Sequence, residues 1–421
     1  MSRFAIERPV LLVTLAVFIN YIDRGNLATA APLIQEQLGL TATQLGILGS
    51  AFYYAYVPLM PAAGWLVQYA GPKRVFAAGI AVWSVATALT GLAGGFVALL
   101  LLRLLLGVGE SVAFPAATQI IAAVVPLERL GIANGIMSFG YLIGPAVGTA
   151  IGGFLMGYVG WRPVFVLFGL ASLMWLWPWR RLSLPTSSVR ADTSAIPNAN
   201  ADRPASPAFT AILSKRALWG ASLGHFAANY SYYFIIAWLP FYLVKARGFS
   251  IGQMATTASW AYLFNAAAAL VTGAMTDRWL RAGHSANSIY KPIMGLAQIG
   301  SSACMAAMVL LPPAGSIAAL LAFEIIAGCS YPGLFAIPQI FAGPAATSRW
   351  VGIQNACGNV AGMVAPVATG LLVDRTGRFD LAFAVAAVVS VLGCIGWLWI
   401  MPRITPIDWQ EVGGRNAPAA R

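Results

Sequence analysis

Twelve times along its 421 residues the chain runs through about twenty mostly apolar positions, at 10–34, 44–68, 75–93, 95–123, 130–158, 162–179, 217–244, 252–275, 291–311, 315–341, 350–373 and 379–401. That is the length at which an α-helix, rising about 1.5 Å per residue, crosses the hydrocarbon core of a bilayer. No soluble core hides so much: 59% of the residues are hydrophobic, only 9% are charged, and the mean hydropathy is +0.76. The expected fold class is an all-α polytopic membrane protein with twelve transmembrane helices and the lipid bilayer as its surroundings.

The connections divide the basic residues unevenly. Arg162, Lys245, Arg247, Arg375 and Arg378 follow odd-numbered spans, and Arg24 and Arg103 lie inside spans. The remaining Lys and Arg fall at the two termini or after even-numbered spans. Basic residues are retained on the cytoplasmic side, so both termini are expected in the cytoplasm. The formal charge of +12 then reflects topology, and no nucleic-acid partner is expected. The first apolar stretch is too long for a signal peptide and lacks a small-residue cleavage site, so it is expected to remain as a helix. Cys304, Cys329, Cys357 and Cys394 fall within spans without a CxxC pair, which argues for packing rather than a disulfide framework or a metal site.

Between spans six and seven lies the longest polar stretch, rich in Pro, Ser, Ala and Asn, which reads as a flexible cytoplasmic linker. It divides the chain into 1–180, a linker at 181–215, and 216–421 with its cytoplasmic tail. The two halves resemble each other: Asn20-Tyr21 recurs as Asn229-Tyr230, Gly64 with Gln68 as Gly273 with Asp277, and Arg103 with Gly107 as Glu324 with Gly328. Within each half a glycine followed by a short basic turn closes spans two, five, eight and eleven, at 64–74, 153–162, 273–281 and 370–378. Those copies alternate sides of the membrane, as inverted triplets of helices require. The expected architecture is two six-helix bundles, each built of 3+3 inverted repeats.

Charges inside the spans carry the functional signal. Asp23 and Arg24 stand together in the first span, and Arg103 and Glu110 are seven positions apart in the fourth, on one helix face about 10 Å apart along the axis. Ionisable side chains at membrane depth are costly and usually face a water-filled path. A guanidinium holds a carboxylate bidentately and stays charged, whereas a carboxylate in a cavity of low dielectric becomes protonatable near neutral pH unless a cation opposes it. The structural alternative is that these groups form ion pairs that only fix packing; four charges concentrated in two spans favour function. Tyr21 is a candidate cavity residue. In the second half the counterparts of Asp23 and Arg24 are Tyr232 and Tyr233, so that half is expected to supply hydrogen bonds and aromatic walls through Asn229, Tyr233, Asn355 and Asn359, with Trp238 a weaker candidate. His225 and Glu324 could together form a second proton site, although a lone histidine is more often satisfied locally. No metal-ligand cluster and no nucleophile with a base is evident, so neither an enzyme nor a cofactor is expected.

The run Asn20-Tyr21-Ile22-Asp23-Arg24-Gly25-Asn26-Leu27, Arg103 to Glu110 followed by Phe114-Pro115, Glu128-Arg129, Gly160-Trp161-Arg162 with Phe165, Trp238-Leu239-Pro240 with Tyr242-Leu243, and Gly358-Asn359 before Pro366 resemble the anion:cation symporter family of the major facilitator superfamily. The resemblance covers nearly the whole chain and implies proton-coupled import of a small organic anion, such as a sugar acid, across a bacterial inner membrane. It implies substrate binding at Arg24; Tyr21, Asn229, Tyr233, Asn355 and Asn359, candidates from their own positions, would stand around it. Proton coupling would fall to Asp23 and Glu110, with Arg103 exchanging partners between acid and substrate. The chain is expected to work as a monomer. Two features depart from that pattern. Gln68 stands where the superfamily's loop signature has an acid, and Gly140, Gly144-Pro145 and Gly148 resemble the fifth-span signature of drug/proton antiporters. Proton-driven efflux is therefore the alternative, and a sensor that binds without transport is a third reading.

Overall fold

The structure, a computed structural model, describes residues 8–184, 207–243 and 247–409. The first seven residues, most of the expected linker, Lys245 and the end of the tail lie outside the described residues. The helices are α1 (Arg8–Leu38), α2 (Ala42–Ala70), α3 (Pro72–Thr90), α4 (Phe96–Glu110), α5 (Ala113–Val124), α6 (Leu130–Val159), α7 (Trp161–Met174), α8 (Leu176–Arg180), the short α9 (Phe209–Leu213), α10 (Arg216–Phe241), α11 (Ile251–Arg281), α12 (Ala286–Leu310), α13 (Pro313–Thr376) and α14 (Asp380–Ile395). The pairs α4–α5 and α7–α8 each make one crossing, interrupted at Ser111-Val112 and at Trp175. The long α13 makes two, because the backbone reverses at Gly343, where φ is +58°. Only glycine takes that conformation without strain.

Twelve crossings result, close to those expected from hydropathy. By length and mean hydropathy alone, six helices among the described residues qualify as spans. The rest fall short for physical reasons: α13 counts once, α7–α8 is broken, and α2, α3, α10 and α11 carry more polar side chains. The expected starts at 291 and 350 come late. Ser285 caps α12 by accepting from the Ser288 N–H at 3.1 Å, so the helix begins in its polar flank, and the eleventh crossing resumes immediately after Gly343.

The repeat read from sequence reappears as local structure. Thr41 and Gln44 form a reciprocal capping box at the start of α2, and Ser250 and Gln253 form the same box at the start of α11. Each follows a glycine of positive φ, Gly39 at 62° and Gly248 at 71°.

Glycines also set how closely the helices cross. A Cβ at Gly140, Gly144 or Gly148 of α6 would lie 2.8–3.0 Å from Thr14, Tyr21 and Ile22 of α1. Between the halves, Gly131 and Gly135 of α6 meet Gly273 and Ala269 of α11, and Gly64 of α2 meets Ser348 of α13 with Gly352 against Met60. These close crossings lie on the face where the described linker ends and the tail gather, which we term the linker face. Arg349 donates there to the Pro207 carbonyl at 2.5 Å. The tail also folds beneath the α13 reversal. The Ile407 N–H donates to Phe341 O at 3.0 Å and Trp409 Nε1 to Ala342 O at 2.9 Å, satisfying carbonyls that the helix end leaves open.

Candidate substrate and coupling site

Asp23 and Arg24 are neighbours in sequence but do not pair with each other. Successive helical residues point about 100° apart, so the two face different partners. The Arg24 Nε donates to Glu110 Oε2 at 2.8 Å, an ion pair in which Glu110 is fully buried and the Arg24 side chain is 12% exposed. Its guanidinium lies over the rings of Tyr21, Phe52 and Tyr56 at 4.5, 4.7 and 4.7 Å. Each such contact contributes about 0.5–2 kcal/mol when desolvated, against a desolvation penalty of several kcal/mol. Aromatic faces and one carboxylate thus hold the cation at depth without using up its donors. Among the described residues Arg24 Nη2, Glu110 Oε1 and Asp23 Oδ1 have no hydrogen-bond partner. Asp23 Oδ2 makes a long contact, 3.5 Å, with the Thr87 hydroxyl of α3.

Arg103 takes a different position. It lies on the same face of α4 as Glu110, but its Nε donates to the Leu48 carbonyl at 3.4 Å and its guanidinium lies 5.7 Å from the Phe52 ring. One phenyl ring therefore lies within reach of both cations. Two guanidiniums and two carboxyls gather in the N-terminal half, with the acids buried and the Arg24 fork only partly engaged. Such a group can take up an anion if a proton releases the fork.

The opposite wall is neutral. The Tyr233 hydroxyl donates to Asn359 Oδ1 at 2.7 Å, and Asn359 Nδ2 donates to Asn355 Oδ1 and O at 2.9 and 2.8 Å. This polar chain reaches the charged half through Tyr53, whose ring packs edge-on against Tyr233 at 5.7 Å. Below it, Phe114 stacks on Phe335 at 5.1 Å and Tyr141 meets Tyr331 at 5.7 Å, sealing the path towards the linker face. Hydrogen bonds between the halves then gather at that face. Asn134 donates to Gln339 at 2.6 Å, and Gln119 bonds Pro344 O at 2.6 Å and the Ser348 N–H at 2.9 Å. Asp277 accepts from the Gly131 and Ile132 N–H groups at 2.7 and 2.9 Å. These are free N–H groups at the start of α6, where a negative charge is favoured. Gln68, the pseudo-equivalent of Asp277, makes a neutral bond with the Ser348 hydroxyl at 3.0 Å.

Paired bundles closed at one face around a central charged cluster are a transporter's architecture, and sequence comparison agrees. The Major Facilitator Superfamily profile matches residues 13–348. The chain belongs to the Major Facilitator Superfamily. It is 31% identical to the Probable sulfoacetate transporter SauU of Cupriavidus necator, over 96% of this chain and 95% of that protein. It is 28% identical to the Probable L-galactonate transporter of Escherichia coli, over 93% and 88% respectively. The crystal structure of the transporter FucP superposes with a TM-score of 0.73 at 15% identity, over 92% of this chain and 97% of that one. The chain is thus a multi-pass membrane protein of a transporter family, not an enzyme, among relatives that carry organic anions.

Within this major facilitator frame, the structure brings Tyr21, Arg24 and Glu110 together and puts Asp23 on the α3 side of them. Arg103 approaches through Phe52, and Tyr233, Asn355 and Asn359 form one connected wall. Asn229 is buried one turn before Tyr233. His225 and Glu324 are not paired. The His225 Nδ1 lies 3.4 Å from Gln354 Nε2, whereas Glu324 accepts from Asn265. The aromatic members of the Arg24 cage on α2 were missed from sequence. The signal that could have found them is the aromatic density of Phe52-Tyr53-Tyr54-Ala55-Tyr56, which puts Phe52 and Tyr56 one helical turn apart on one face.

Proposed function

We propose that the chain imports a small organic anion, a sugar acid or another carboxylate, together with protons by alternating access. The observation that carries this reading is the Arg24–Glu110 pair, a guanidinium caged by aromatic rings and tied to a single buried carboxylate oxygen. Protonation of Glu110 removes the charge that binds the Arg24 fork and frees it for an anionic substrate. Asp23, buried nearby with one oxygen unpartnered, is the second acid able to carry a proton. Arg103 compensates whichever carboxylate or substrate charge remains. An anion and a proton then stabilise the same arrangement, which is the condition for coupling them.

The excess of basic residues on the linker face supports assigning that face to the cytoplasm of a bacterial inner membrane. One chain holds both walls of the site, which supports function as a monomer. Proton-coupled efflux gains no separate support, because the fifth-span glycines are accounted for by the close α1–α6 crossing.

The test is uptake into liposomes that carry the purified protein and an enclosed pH-sensitive dye, with protein-free liposomes as the control for passive acid entry. The panel comprises sulfoacetate, L-galactonate, other sugar acids, dicarboxylates and aromatic acids. Protein-dependent acidification with one class identifies the substrate and symport together. Acidification as preloaded anion leaves, a proton entering as each anion exits, would assign proton-driven efflux. Binding without flux would assign a sensor.

A further inference from the structure

Among the described residues, the half without the buried ion pair contains one buried acid of its own in the membrane. Glu324 of α13 is 3% exposed; Asn265 Nδ2 of α11 donates to its Oε2 at 2.5 Å. The amide's other atom, Asn265 Oδ1, is buried without a hydrogen-bond partner among the described residues. Tyr262 on α11 and Tyr331 on α13 are its titratable neighbours, and among the described residues no cation is found acting on it.

This geometry suits an acid that carries a proton. An ionised carboxylate can satisfy only the amide N–H and offers no donor to the unpartnered Oδ1. A protonated carboxyl completes the pair, accepting from Nδ2 with one oxygen and donating from the other to Oδ1. Loss of the proton would leave a buried charge without a cation, so protonation and the packing around Glu324 are linked.

The position matters as much as the partner. Gly107 of α4 packs on α2 so closely that a Cβ would lie under 3.0 Å from Phe52 O, and Gly328 of α13 packs in the same way on Asn265 O of α11. One turn before these matching crossings stand Arg103, over the Phe52 ring, and Glu324, against the Asn265 amide. The two halves therefore place an arginine and an acid at equivalent points of one repeated helix pair.

We infer that Glu324, paired with Asn265, is a second proton-carrying site, housed in the half opposite the anion-binding arginine. Half-buried Tyr262, one turn from Asn265, offers its hydroxyl as the link to water. The proton is taken up from the open face and given back to water when the α11–α13 crossing shifts. This rests on the proton-coupled reading above and adds a proton separate from those of Asp23 and Glu110.

Infrared titration of the intact purified protein tests the site without any substrate. The expected result is a carboxylic-acid carbonyl band that fades as the pH rises, is missing in Glu324→Gln, returns in Glu324→Asp and shifts in Asn265→Ala. A band that does not respond to pH, or that survives in Glu324→Gln, overturns the inference. In liposomes that accumulate sulfoacetate or L-galactonate, Glu324→Gln is expected to lower the protons entering per anion by one with anion affinity within about twofold of wild type. An unchanged ratio would remove Glu324 from coupling. Absence of anion-driven proton entry in the wild type would instead sink the symport reading and leave the infrared result standing on its own.

Discussion

The two halves share a fold and divide their charges at different depths. Midway across the membrane the N-terminal half concentrates Asp23, Arg24, Arg103 and Glu110 around Phe52, while the facing wall is a neutral chain of Tyr233, Asn359 and Asn355. At the linker face the order reverses. The N-terminal half offers the neutral Gln68 and the C-terminal half offers Asp277, whose carboxylate caps the first turn of α6. On the proposed reading, one half grips the anion and the other bolts the gate. A charged substrate held in this way by one half leaves the other free to rock past it, because among the described residues no ion pair crosses the middle of the interface. The cost of opening is concentrated instead at one carboxylate and a set of glycine crossings.

The sharpest way to break this comparison is to remove the grip. Arg24→Ala removes the cation that would pair with the buried anion, a loss of about 2–5 kcal/mol of binding, so anion affinity is expected to fall at least about 30-fold. Arg24→Lys keeps the charge but neither the fork nor the aromatic stacking and should recover little. Binding calorimetry on folded variants decides it. Near-wild-type affinity in either variant would mean that the anion is held elsewhere, and the charge asymmetry would lose its functional meaning.

The gate contains a part that the halves share. A Cβ at Gly273 would press into the Gly131 carbonyl, and one at Gly64 would press into that of Ser348. Overpacking of this kind costs about 1–3 kcal/mol, or roughly a 5- to 150-fold shift. Gly273→Ala and Gly64→Ala should both move the population towards an open linker face, measured as the distance between spin labels at 128 and 282 in a cysteine-free background. Equal shifts would show that the steric part of the gate is symmetric; a shift in one variant alone would extend the asymmetry from charge to packing.

The charged bolt gives a pH signature. Asp277 lies just beyond the apolar stretch 252–275, and burial, the largest influence on it, lifts its carboxyl from the ordinary carboxylate value to about 6, against the opposing pull of the Ile132 and Gly131 N–H groups. In the open state the group meets water and titrates at its ordinary value. The closed state therefore binds the proton more tightly, and acidification of the linker side through about pH 6 favours closure. Closure should weaken again as the pH rises above that value. Asp277→Asn is expected to flatten the response. A closed population that falls on acidification in wild type would reverse the sign and place the controlling group elsewhere.

How much of this was legible in the sequence follows from the nature of each signal. Span lengths, the doubled six-helix plan and the gathering of Asp23, Arg24, Arg103 and Glu110 inside the bundle were legible, because apolar length and charge within it report directly on membrane depth. Their pairing was not. Adjacency suggested Asp23 with Arg24, and helical spacing put Arg103 and Glu110 on one face without naming their partners on other spans, whereas the ion pair joins Arg24 to Glu110 across 86 positions. Spacing within one helix fixes a face but cannot say which neighbouring helix that face meets. Asp277 was legible only as a repeat of Gln68, since the backbone N–H groups it caps leave no mark in sequence.

The smallest expected effect tests the neutral wall and depends on the substrate's chemistry. Tyr233→Phe removes the donor to Asn359 Oδ1 and frees that amide to turn, and Asn359→Ala removes the link between Tyr233 and Asn355. A single hydrogen bond of this kind contributes about 0.5–1.5 kcal/mol, so KM should rise roughly 2- to 10-fold, with the protons moved per anion unchanged because no charged group is touched. If the wall reads hydroxyl groups, the rise should appear with L-galactonate, which has them, and be absent with sulfoacetate, which does not. An equal rise for both would mean that the wall only shapes the cavity, and a changed proton ratio would mean that the Tyr233–Asn359–Asn355 wall itself takes part in coupling.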